Sequence, residues 1–379
     1  DGVTFAPGDA DIRAQLLGSS LQDGKLLTRW RWSKAGKNLD FQLNFYNKGR
    51  SLAVEAMAGL PVVSAFDAGY VSGATRPRLF GLTYLNNRWD YPRFLVTDDY
   101  FVSVFADWYL SNASDYVESK GRGSLAGAAV MSDQAARVLG GTLYFPKTDG
   151  QRNRLYERLF LTVSPELADV LPHIPNPPSP FLKETAQLVC MTRAYSLQGR
   201  DADVSNELAF WQKMRDYGAE DIWVRFHCGQ YRTPLANNRI SLSSDGAMSN
   251  GGDAPMVELV AGMRKLFRRV APYNDNRILA ANAPQFDYDI LSRSASGGFN
   301  EGWDACFRPK PAAMLKLMRD FVPGFVAKYH WNAEYLDELT NAPPWADVDY
   351  DADAPGAGKF SAVLRDFGAV ALQQRELYR

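Results

Sequence analysis

The sequence predicts an α+β chain of more than one domain: an N-terminal antiparallel β-sandwich, then a truncated (β/α)8 barrel of the TIM type. Three observations carry this. Up to about residue 165 the apolar residues come in short, turn-punctuated runs. From about residue 185 strand-like and helix-like segments alternate. Between them "PHIPNPPSPF" (172–181) packs five prolines into ten residues, the composition of a stiff linker. The expected division is 1–165 sandwich, 166–184 linker and 185–379 the first half of a barrel.

In the first part "KLLTRWRWSK", "LDFQLNFYNKG", "SLAVEAMAG", "RFLVTDDYFVSVFADWYLS" and "GTLYFPKT" are rich in β-branched and aromatic residues. Gly, Asn, Asp and Pro separate them at roughly 8–12-residue intervals, as in antiparallel sandwiches. Leu39, Phe41, Leu43 and Phe45 alternate with polar residues and fall on one strand face. "GRGSLAG" (121–127) lacks the last glycine of a phosphate loop and follows polar residues instead of a strand.

The second part reads as four strand–helix units. "AQLVCMT" is followed by a helix within "ADVSNELAFWQKMRDYG", where Leu208, Trp211 and Met214 form a stripe and Gly218 is the stop. Strand "DIWVRFH" precedes helix "APMVELVAGMRKLFRRVA". Strand "RILAAN" precedes "PAAMLKLMRDFVPGFVAKY", and "AEYLDEL" precedes "GKFSAVLRDFGAVALQQREL". Four such units make a parallel sheet with helical crossovers, half of an eightfold barrel. A doubly wound sheet is the alternative.

With 42 basic and 43 acidic residues, the net charge of −1 offers no basic footprint for nucleic acid or an anionic membrane surface. No apolar run reaches the roughly 18 residues of a membrane span. Cys190, Cys228 and Cys306 are too dispersed for a zinc pair or a disulfide framework. No cofactor is expected.

Ligands of parallel α/β folds sit at the carboxyl ends of the strands. Those ends supply His227, Gln230 and Arg232 after the second strand, Asn282 and Asp287 after the third, and Asp337 after the fourth. Neighbouring loops add Trp303, Lys310 and Trp345. A carboxylate ending a buried strand is costly unless paired or used, and carboxylates are the working groups of glycoside hydrolysis. Beyond Asp337, the alternating aspartates 347, 349, 351 and 353 match no EF-hand register. They form either a solvated or helix-capping loop or a looser structural calcium site.

"YLDELTNAPPW" and "DYDADAPGAGKF", preceded by "GWDACFRPKPA" and "HCGQYR", resemble the barrel of glycoside hydrolase families 101 and 129, endo- and exo-acting α-N-acetylgalactosaminidases, and their bacterial relatives. "YFVSVFADWYLSNAS" resembles the galactose-mutarotase-like sandwich that precedes that barrel. The resemblance implies a retaining glycosidase acting on α-linked N-acetylgalactosamine or a related sugar. It makes Asp337 the nucleophile and places the acid/base glutamate on a fifth strand beyond residue 379, so that the chain as given is expected to be an inactive fragment. His227, Gln230, Arg232, Asn282, Asp287, Trp303, Lys310 and Trp345 are the expected substrate contacts. Relatives tend to read H-x-x-Q-W-R-D where this chain has Tyr231 and Thr233, a departure that bears on sugar preference. A non-catalytic carbohydrate-binding protein on the same scaffold is the alternative.

Overall fold

The computed structural model describes residues 3–6, 8–67, 69, 71–81, 93–116, 135–136, 141–172, 179–193, 204–226, 245, 251–275, 277–302, 306–337, 339–340 and 342–378. They fall into two compact units: residues 1–177, 295–297 and 343–364 in the first, and 178–294, 298–342 and 365–379 in the second.

The first unit is built on an eight-stranded antiparallel sheet. Its strands are β1 (Arg13–Gln22), β2 (Lys25–Lys34), β3 (Lys37–Lys48), β4 (Ser51–Ala58), β5 (Arg78–Gly81), β6 (Arg93–Val96), β7 (Phe101–Ala106) and β8 (Tyr156–Ser164). The spatial order is β1-β2-β3-β4-β8-β7-β6-β5. Two-residue turns join the first three strands. Asp23 and Gly24 (φ 49° and 74°), then Ala35 and Gly36 (48° and 73°), are left-handed. Such paired positive φ values give the twist that a tight hairpin needs. Leu95, Val102 and Ala74 form a buried core cluster. The other sheets of this unit have three and two strands, so the described residues show one dominant antiparallel sheet in place of the two matched layers expected of a sandwich.

Residues 343–364 belong to this unit. The Phe360 N–H donates to the Ala113 carbonyl at 2.9 Å, and the Ser114 hydroxyl to that of Gly358 at 2.8 Å. Asp347 and Asp349 are buried, so this segment is no solvated acidic loop. Among the described residues no group of three or more His, Cys, Asp or Glu side chains is placed to hold a metal ion.

The second unit carries four parallel strand positions. β9 (Val189–Met191), β10 (Ile222–Arg225) and β11 (Arg269–Ala271) pair in that order, while β12 (Tyr273–Asn274) pairs with β13 (Tyr335–Leu336). Pro272, between β11 and β12, has no N–H to contribute to a ladder. The third strand corrects the expectation that "RILAAN" would fill this position. "RRVAPYN" takes it, and Leu279–Ala280 pairs antiparallel with Cys306–Phe307 instead. The reason is tertiary. Helix α2 stops at Leu266, Phe267 turns extended, and Val270 and Ala271 bury completely beside β10, overriding the helical periodicity that continues through them. No closed barrel is present among the described residues.

Helices α1 (Val204–Asp216), α2 (Asp253–Leu266) and α3 (Pro311–Tyr329) cover the sheet, and α4 spans Phe360–Leu377. The expected stripe on α1 holds: Trp211 is fully buried and stacks edge-on against Phe267 at 5.7 Å. Gly262 lets α1 and α2 approach closely, since a Cβ there would lie 2.8 Å from the Leu208 methyls. Among the described residues no helix is long and apolar enough to cross a membrane.

Candidate active site

Asp337 follows β13 directly. Side chains two apart on a strand share a face, so Tyr335 and Asp337 point the same way. Parallel register sets Tyr273 of β12 opposite Tyr335, and the two rings stack with centroids 5.6 Å apart. Both phenols reach the carboxylate: Tyr335 donates to Oδ1 at 3.1 Å, and Tyr273 donates to Oδ2. The Asp337 N–H donates to the Asn274 carbonyl at 2.8 Å, which fixes the backbone beneath it.

Arg225, at the end of β10, lays its guanidinium 3.8 Å over the Tyr335 ring. Its Nε is buried without a hydrogen-bond partner. Burial, reinforced by the Asp337 charge, raises the Tyr335 pKa above the ordinary phenol value. Tyr335 therefore keeps its proton and acts as a donor at neutral pH. The arrangement is an oriented carboxylate on an aromatic floor with a cation alongside, at the strand ends where parallel folds place their chemistry.

The other expected contacts are placed as follows. Asn282 and Asp287 are exposed. Asp287 caps a short 3-10 turn, its side chain accepting the Asp289 N–H at 3.0 Å. Lys310 is half-buried ahead of α3, and its N–H donates to the Ile290 carbonyl at 2.7 Å. Trp345 packs in the first unit, against Trp108 at 5.3 Å, Tyr116 at 5.1 Å and Phe360 at 5.8 Å. His227, Gln230, Arg232 and Trp303 lie outside the described residues. The hydrogen bonds thus bring Asp337 together with Tyr273 and Tyr335, which the sequence reading did not single out. Their signal was present in "EYLDE" as an i, i+2 pair. Tyr273 was hidden because the third strand was read at "RILAAN", which left Tyr273 in the connection before it.

No family model and no curated protein matches the chain. Among solved structures, it is similar to the ligand-free α-N-acetylgalactosaminidase NagBb from Bifidobacterium bifidum, with a TM-score of 0.63 at 9% identity over 97% of this chain and 68% of that one. The N-acetylgalactosamine complex of NagBb gives 0.61 at 11% identity over the same shares. The GH36 α-galactosidase AgaB from Geobacillus stearothermophilus gives 0.48 at 9% identity, over 96% of this chain and 56% of that one. At 9–11% identity the likeness to NagBb is one of fold alone.

Proposed function

We propose that this chain is a retaining glycoside hydrolase acting on α-linked N-acetylgalactosamine or a related sugar, with Asp337 as nucleophile on a (β/α)8-type scaffold. The observation that carries the reading is the placement of Asp337 after the fourth parallel strand, with each carboxylate oxygen held by a different tyrosine hydroxyl. One oxygen attacks the anomeric carbon as the leaving group departs, giving a β-linked glycosyl ester that water then cleaves. The tyrosine that remains bonded to the other oxygen holds the carboxylate in line. Retention needs a second carboxylate about 5–5.5 Å away as acid/base, a role for which no residue is assigned. Under this reading His227, Gln230, Arg232, Asn282, Asp287, Trp303 and Lys310 remain candidate sugar contacts.

The test separates the nucleophile from the acid/base. A 2,4-dinitrophenyl α-N-acetylgalactosaminide carries a leaving group that departs without protonation, so the first step needs Asp337 alone. Intact mass spectrometry should show one N-acetylhexosamine added, mapped to the Asp337 peptide, and Asp337→Asn should abolish it. Sugar binding without any adduct would favour the second reading, a carbohydrate-binding protein on the same scaffold.

A further inference from the structure

The amino-terminal ends of the parallel strands in the second unit enclose a cavity of about 690 Å3, within the size range of small-molecule sites. Asp337 is not part of its lining. Trp223, Leu336, Ala371 and Tyr378 give it aromatic and apolar walls. Its charged rim is Glu184, which takes Arg269 on Oε1 at 3.4 Å and Arg375 on Oε2 at 3.3 Å. With Glu334 also in the lining, two arginines face two carboxylates and the charges cancel.

One lining residue has no account in the packing. Gln374 on α4 is only 3% exposed, yet neither its amide nitrogen nor its amide oxygen has a hydrogen-bond partner. Leaving a buried donor or acceptor unmade is destabilising, and a leucine or methionine would suit a helix equally well. A buried amide with both functions unmet, lining a cavity, is a group waiting for a ligand.

The chemistry of that ligand follows from the amide. It presents a donor beside an acceptor, and a vicinal diol satisfies both from one edge. A trans peptide group cannot, because its N–H and C=O point in opposite directions. Glu334 and the Glu184–arginine rim add more hydrogen-bonding positions than a flat lactam edge would occupy, and the balanced charge disfavours an ion. We propose that this cavity is a second site, at the opposite strand ends from Asp337, for an uncharged polyhydroxylated ring of monosaccharide size. Gln374 bridges two adjacent hydroxyls, and the Trp223 indole meets the apolar face of the ring.

The experiment is a D-galactose titration of the full chain, selectively 15N-labelled at glutamine and tryptophan. The Gln374 side-chain NH2 is assigned by its loss in Gln374→Leu, and the Trp223 indole N–H by its loss in Trp223→Phe. Both signals should move together and saturate. Gln374→Leu should weaken the affinity read at Trp223 at least tenfold while the melting temperature holds or rises. Gln374→Asn, which keeps the amide but withdraws it by one methylene, should fall between and guards against a folding failure of the leucine variant. If neither signal moves in a titration taken to molar sugar, or if Gln374→Leu binds as the parent does, the proposal is wrong. Covalent labelling of Asp337 is read separately, so either site can fail without the other.

Discussion

The Tyr335 hydroxyl donates to Oδ1 of Asp337 across 3.1 Å, from two positions earlier in the chain. With Tyr273 on Oδ2, the carboxylate is held from both sides by rings that are themselves stacked. A hydrogen bond to a charged acceptor contributes about 1.5–3 kcal/mol. Under the proposed role of Asp337, Tyr335→Phe and Tyr273→Phe should each slow glycosyl-ester formation by roughly 10–100-fold, at about 1.4 kcal/mol per decade. Sugar affinity should stay near the parent value. The rate of mass-adduct formation, set against affinity by titration, checks this. A variant that reacts at the parent rate would show that its hydroxyl does not orient the carboxylate.

Glu157 on β8 is completely buried, accepting the Tyr144 hydroxyl at 2.5 Å and the Ser111 hydroxyl at 2.9 Å on Oε1, while Oε2 has no partner. Burial pushes its pKa up from 4.5 to about 7, against the pull of these hydroxyls, and the nearby Asp107 charge adds to the rise. Burial also raises Asp107, against the opposing Arg158 charge. The folded state therefore keeps the Glu157 proton where the unfolded chain has released it. Stability from this group is fully present below the unfolded value and declines as pH rises from about 4.5 to about 7, by at most about 3 kcal/mol at 1.36 kcal/mol per pKa unit. Glu157→Gln should flatten that part of the stability–pH curve and exceed the parent in mildly alkaline buffer. Urea midpoints across the range decide it, and an unchanged slope in the variant would assign the pH dependence elsewhere.

Gly358 sits at φ +68°, and a Cβ there would meet the Asn153 amide nitrogen at 2.9 Å and the Lys147 Cγ at 3.1 Å. Its carbonyl accepts the Ser114 hydroxyl and its N–H donates to the Asp349 carbonyl at 2.7 Å. Gly358→Ala adds left-handed strain of about 1–2 kcal/mol and displaces those neighbours. We expect a loss of roughly 2–3 kcal/mol in thermal or chemical denaturation. Gly356→Ala, also at positive φ (+76°), would press on the Ala362 methyl at 2.5 Å and should be similarly unfavourable.

Trp211 is buried on α1, and its indole N–H donates to Glu207 Oε1 at 2.7 Å. Arg193 meets the other oxygen of that carboxylate at 2.8 Å. Trp211→Ala removes both the ring and the donor, and should cost about 3–5 kcal/mol. Trp211→Phe keeps most of the packing against Phe267 but leaves Glu207 short of one donor, so it should cost about 1–3 kcal/mol. Equilibrium unfolding measures both, and equal losses would mean that the hydrogen bond contributes nothing.

By itself the sequence determined the change of period along the chain: turn-punctuated strands first, then alternating strands and helices. Dipeptides such as Asp23-Gly24 and Ala35-Gly36 commit the backbone locally, and Trp211 with its i±3 neighbours marks a helix face before any fold is known. It also determined that a carboxylate, Asp337, ends a strand. These features were legible because each depends on residues within a few positions of one another. Tertiary structure decided the rest. Whether Arg269–Ala271 continued helix α2 or opened the third strand rested on β10, a parallel partner more than forty residues earlier. Residues 343–364 joined the first unit through Ala113 and Ser114, more than two hundred positions earlier. The two tyrosines on Asp337 and the unpartnered amide of Gln374 likewise arise from register and packing, which bring together side chains that no local pattern relates.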